Sequence, residues 1–366
     1  ARGFTFYTIG QKQEAEKSFK KSVDYFEKGV KGIIFKKYIT ALNLLIEIYK
    51  ENNDVDNFLI NKNKLINVYD DYSKLNYSYA YNYIETTNEL ANLYSKAKDS
   101  KTSMDYYRLG LNKALQLEEI GAEVKKTKLG LLFNIGDKEM DNMLLDSAAV
   151  HFKEALEINK ICFMDTAYAI YVQNNKEICE KLGITYCMIG DNNQDEKYSY
   201  QDGKAYLLKA VESLEEMNFV ESDKSVYNMS NLNFILGQIN SNLGQSLEAE
   251  KSYKRAISLL LPLSLKDNYD LNGDMQKYHI YLGRLYMDKM DNDQRAREMF
   301  IQANLYYNNM SSENKNYYLE EYINTLDNLL LIEMNKEDSQ DKNTIKILKK
   351  DKKKAEKRLK NNLKKS

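Results

Sequence analysis

Asp191, Asn193, Asp195 and Asp202 occupy positions 1, 3, 5 and 12 of a calcium-loop pattern. A calcium ion takes six to eight oxygens, and its loop wants glycine at position 6 and a bidentate glutamate at position 12. Here position 6 is Glu196 and position 12 is the shorter Asp202, so a solvated polar loop is the expectation. The two histidines, His151 and His279, lie far apart, and neither has a Cys or His neighbour at metal-ligand spacing. His151, between Ala148 and Phe152, is expected to face solvent, and His279 to fill a helix-packing slot. Cys162, Cys179 and Cys187 form no CxxC pair and read as reduced thiols, the last two as core fillers on one helix. The chain has no glycine-rich phosphate loop, GxSxG or HExxH. No constellation converges on a reaction, so the reading is a protein that is not an enzyme, with no cofactor and no metal.

The elements that would position any such group are helices. One proline and 15 glycines in 366 residues leave too few breakers for a many-turned β fold. A signature of small residue, aromatic four positions on and small residue three further on recurs. It reads Ala15/Phe19/Ser22, Ser103/Tyr107/Gly110, Ala148/Phe152/Ala155, Ala249/Tyr253/Ala256 and Ala296/Phe300/Ala303. Upstream of each lies a first helix with its own small residue. The slots Gly3, Ile46, Ala91, Gly136, Gly183, Gly237 and Gly283 are separated by 43, 45, 45, 47, 54 and 46 residues. The 54-residue step places about eight extra residues between Gly190 and Gly203, expected as a loop. Gly3 in a mid-helix slot implies a first repeat that is incomplete. Roughly eight hairpins are expected, stacking in one dimension around a continuous core.

The Leu-Gly-x-x-Tyr slots of the first helices, with the small–aromatic–small slots of the second, resemble the tetratricopeptide-repeat (TPR) superfamily. Leu236 to Pro262 fits best. The resemblance covers residues 1 to about 335. It implies an all-α fold, a right-handed superhelical solenoid of antiparallel helical hairpins whose first helices line the concave face. The period exceeds the family's commonest value of about 34. It is nearer the long-period kinesin light chain and Pins-type adaptors and the bacterial Rap regulators. Asn88 and Asn43 match the asparagine slot of the adaptors. Phe133, Glu180, Phe234 and Ile280 stand there in other repeats.

The domain reading is therefore a repeat array over 1–335 and a basic capping helix or tail over 336–366. From Lys342 to the end, 12 Lys/Arg face two acids, which leaves the rest of the chain at −11. Ile345, Leu348, Ala355, Leu359 and Leu363 give that tail one apolar edge. No stretch reaches the roughly 18–20 apolar residues of a membrane span, and the localisation read from the thiols is cytoplasmic. The resemblance implies an adaptor or scaffold holding a protein or peptide ligand in its groove. The polar groove residues would be Asn43, Glu47, Asn88, Asn92, Asn134, Asp137, Lys181, Gln238 and Arg284. No small-molecule substrate is implied. The acidic body and the lack of aromatics among the tail lysines argue against nucleic acid. Two other readings remain: a peptide-sensing regulator of the Rap type, and a scaffold using its convex face or its ends.

Overall fold

In the computed structural model every described element is a helix. The structure describes residues 2–28, 35–73, 76–192, 196–217, 222–266, 270–311, 313–335 and 341–363. Two compact units divide the chain at Ile158.

The first unit holds α1 (Arg2–Thr8), α2 (Lys12–Glu27), α3 (Phe35–Glu51), α4 (Val55–Ser73), α5 (Tyr77–Lys96), α6 (Ser100–Glu119), α7 (Lys125–Asp141) and most of α8 (Leu145–Phe163). The second holds α9 (Tyr168–Asn192), α10 (Glu196–Glu216), α11 (Asp223–Asn242), α12 (Ser246–Ser264), α13 (Asn272–Arg284), α14 (Asp293–Asn309), the single turn α15 (Asn314–Tyr317), α16 (Leu319–Asn335) and α17 (Lys342–Leu363). Among the described residues these pair into eight antiparallel hairpins.

The signature sets the packing within four of the hairpins. The aromatic of the second helix, Phe19, Tyr107, Phe152 or Tyr253, falls sixteen positions after the small residue of its own first helix. A Cβ built on Gly136 would lie 2.9 Å from Phe152, and one on Gly237 would lie 2.5 Å from Tyr253. Both rings are at most 1% exposed. Side chains repeat at the same period. Tyr106 donates to Asn63 at 2.6 Å, Lys113 to Asp70 at 2.5 Å and Lys266 to Asp223 at 2.6 Å, each bond joining positions 43 residues apart.

The hairpin turn also has a fixed address. Seven residues after the small slot the backbone enters the left-handed region, at Gly10, Asn53, Lys98, Met143 and Gly244. Gly283 departs by one residue: its ring, Phe300, comes seventeen positions later, and the turn residue is Asp291, eight later. The extra residue is absorbed in a π-helical turn, Leu285–Lys289, that continues α13. Such a turn is what one inserted residue produces in an α-helix.

The Gly190–Gly203 segment is not the loop expected from the spacing. Gly190, in the turn slot, remains helical within α9, which runs to Asn192, and α10 begins at Glu196. The added residues lengthen both helices. They stay in phase because Tyr200 packs on Gly190 and Leu207 on Gly183. Asp191 and Asp202, the first and last positions of the calcium pattern, are therefore helical, and Asn193 and Asp195 lie outside the described residues. The Tyr200 hydroxyl donates to Asp191.

The histidines differ in outcome. His279 is 7% exposed, with its ring N–H donating to the Met275 carbonyl at 2.7 Å. His151 is only partly turned to solvent: its side chain is half-buried, and its Nδ1–H donates at 2.7 Å to Glu139, whose carboxylate is 2% exposed. Burial pushes the His279 pKa below its ordinary value of 6.5. On acidification through that value the unfolded chain takes up a proton that the folded chain refuses. Stability is thus full above the unfolded pKa and falls as pH drops below it. Denaturant midpoints of the wild type should therefore decline between about pH 7 and pH 5.5 more steeply than those of His279→Gln; equal slopes would contradict this placement.

Candidate functional site

In the first unit the polar slots of α3, α5 and α7 carry a row of amides and acids. Asn43 and Glu47 on α3 are exposed, Asn88 and Asn92 stand on α5, and Asn134 and half-buried Asp137 stand on α7. The row is partly self-joined, since Asn134 Nδ2 donates to Asn88 Oδ1 at 3.3 Å. Tyrosines of the second helices also reach it. The Tyr107 hydroxyl donates to Asn92 Oδ1 at 2.6 Å, and the Tyr69 hydroxyl lies beside Asn43. With its oxygen engaged by Tyr107, Asn92 keeps its amide NH₂ as its donor group. Glu47 is not brought into this bonded set.

In the second unit Gln238 on α11 and Arg284 on α13 line one cavity of about 370 Å³. The predicted groove slots did not include the other polar members: Asp191 and Tyr200 of the lengthened α9/α10 hairpin, Ser241 and Asn242, Tyr281, and Asp288 and Lys289 of the π turn. The signal for the π-turn pair was in the sequence, as the seventeen-residue interval between Gly283 and Phe300. Arg284 also lines a second cavity of about 170 Å³, with Gln276, Tyr281, Glu321 and Asn324. Its guanidinium carbon lies 5.8 Å from the Tyr281 ring centre. Gln276 is wholly buried, and neither its amide nitrogen nor its oxygen has a hydrogen-bond partner. Lys181 on α9 is half-buried and does not line the larger cavity.

Cys187 lies on the wall of the larger cavity, and burial pushes its thiol up to about 12, as it does that of Cys179. Burial likewise raises the Tyr253 hydroxyl. These groups are neutral at physiological pH and offer no nucleophile. Among the described residues no three His, Cys, Asp or Glu side chains gather where a metal could sit. No helix of the described residues is long and apolar enough to cross a membrane.

Residues 230–259 match the tetratricopeptide-repeat family model, and they cover most of α11 and most of α12. No curated protein matches the sequence significantly. Among solved structures the chain is similar to BtubC (BKLC) from P. vanneervenii, at 15% identity and a TM-score of 0.50, over 68% of this chain and 91% of that one. It is also similar to the C-terminal part of a TPR repeat-containing protein from Cytophaga hutchinsonii, at 12% identity and a TM-score of 0.50, over 89% and 98% of the two chains. Both likenesses concern the fold. Ring-on-glycine hairpins, their repeat-spaced hydrogen bonds and the segment matched at residues 230–259 together support a helical repeat solenoid of the tetratricopeptide-repeat kind.

Proposed function

We propose that the chain is a non-catalytic protein-interaction scaffold of the adaptor kind, holding an extended or helical peptide segment of a partner along its first helices. The observation that carries this reading is the 370 Å³ cavity. Two successive first helices, α11 and α13, contribute Gln238 and Arg284 to one lining. Its amide, guanidinium and carboxylate groups suit a peptide backbone and its charged side chains, and its half-buried tyrosine supplies contact area. The amide row of the first unit offers the same chemistry on α3, α5 and α7.

A library of short random peptides panned on the full chain tests the reading. Wild-type protein should enrich a shared peptide pattern. Gln238→Ala combined with Arg284→Glu should weaken those peptides on the order of ten- to a hundred-fold, for one neutral and one charge-assisted bond. Helicity should be unchanged. Asn43→Ala combined with Asn92→Ala should weaken any peptide class held by the first unit. Absence of enrichment, or enrichment indifferent to both pairs of substitutions, would sink the proposal.

A further inference from the structure

The last helix, α17, is amphipathic in an unusual sense: one face is buried and the opposite face is almost purely lysine. Ala355 is buried with Tyr307, Met310 and Leu319, and Leu359 packs against the same cluster. Lys352 pairs with Asp327 at 2.5 Å, and Arg358 Nε donates to Asn316 at 2.9 Å. The helix is thus fixed on its body. Facing away from that body are Lys342, Lys346, Lys349, Lys350, Lys353, Lys354, Lys357 and Lys360, all exposed. At 100° per residue they fill an arc of about 140° over about 27 Å of helix. The only other residues in that arc are Asn343 and Asn361. None of the eight lysines makes an ion pair among the described residues, although residues 159–341 carry eleven more acids than bases. Glu356, at the edge of the arc, is turned to Lys352.

We propose that this lysine face is a docking surface for an anionic lipid bilayer. Eight unpaired cations in one straight row call for a polyanion, and the shape of the row selects which. A plane lets every rung of a straight helix reach headgroup phosphates and carboxylates at once, the flanking lysines bending their stems toward it. A nucleic-acid duplex is itself a cylinder. A helix seated in its groove would turn Lys346, Lys353 and Lys360 to base edges, and the row supplies no arginine or aromatic to fork onto or stack on bases, its only amides being Asn343 and Asn361 off that central line. With its apolar face occupied by the body, α17 cannot insert, so adsorption is electrostatic. The helix is about 10 Å thick, more than the roughly 8 Å Debye length at physiological salt, which holds the acidic body back from the surface.

Flotation of the full chain with vesicles tests this directly. It should float with vesicles of phosphatidylcholine containing about 30% phosphatidylserine and stay behind with phosphatidylcholine alone, and the binding should fade as salt rises. Replacing Lys346, Lys350, Lys353 and Lys357 by glutamine should lower partitioning on the order of a thousand-fold, at about fivefold per lysine. The same change at Lys17, Lys21, Lys96 and Lys101, all exposed in the first unit, alters net charge equally and should leave partitioning unchanged. Failure to float with the anionic vesicles, equal loss in both quadruple variants, or displacement by a DNA duplex that binds more tightly than the vesicles would overturn the proposal.

Discussion

Gly237→Val should destabilise the second unit by about 3 kcal/mol, the upper range for overpacking a filled core. A Cβ at this position already falls 2.5 Å from Tyr253 Cδ1 and 2.9 Å from its Cγ, atoms at the root of the ring rather than at a flexible tip. The ring is 1% exposed and boxed in by Phe234 and Tyr281, with centroids at 5.7 and 6.4 Å. To admit two more methyl groups α11 and α12 must part, which opens the seat on which the hairpin depends. Alanine should be far milder, because Ala91 holds the same slot sixteen residues before Tyr107 in the first unit. It also recovers the helix propensity that glycine forfeits, up to about 1 kcal/mol. A second route to relief is Gly237→Ala with Tyr253→Leu, the pairing of small residue and leucine already used by Gly183 and Leu207. Urea unfolding followed by circular dichroism reads all three. A valine variant as stable as the wild type would show that the ring does not seat on Gly237.

His151→Leu should cost the first unit about 2–4 kcal/mol, by stranding a charge rather than by losing volume. Glu139 on α7 is 2% exposed. Its near partner is His151 at 2.7 Å; the Arg108 guanidinium lies at 3.8 Å and is itself mostly exposed. With leucine at 151 the carboxylate keeps only that distant, solvated cation. Removing the charge as well, in Glu139→Leu/His151→Leu, should restore most of the loss, because an apolar pair of similar volume carries no desolvation cost. A double-mutant cycle checks this: additive effects would mean that the two side chains do not act as a pair.

These two sites differ in how far they could be read ahead. The seat of Tyr253 on Gly237 follows from spacing alone, since a repeat obliges each small slot to meet the aromatic one hairpin-arm later. The hairpins, the core aromatics and the placement of Gln238 and Arg284 on first helices were legible for the same reason. Glu139 and His151 were not. His151 sits between two signature residues on a face that periodicity assigns to water. Whether that face is wet depends on the neighbouring α7, whose acid no local pattern marks as buried. Gly190 misled in another way. A glycine at the turn address reads as a turn, but eight further residues let both helices run on, and the glycine serves the close approach of Tyr200 instead. The cavity walls from Asp288 and Lys289 depend on the π turn, a single added residue whose lodging place only the backbone reveals.

The lengthened α9/α10 hairpin implies a grammar for changing the length of this chain. From Gly183 to Leu207 is 24 residues, where other hairpins take sixteen or seventeen from slot to ring. Shared equally, the surplus adds about one turn to each arm and rotates each face by only about 40°. Two residues per arm would instead swing the packing face to the opposite side of the helix. Insertions here thus have a reading frame. Near-whole turns added to both arms are in frame, and so is one residue taken up as a π turn; intermediate lengths scramble every contact downstream within the hairpin. A new segment grafted into this protein belongs at the left-handed turn residue, after Met143 or Gly244, where no helical phase has to be kept.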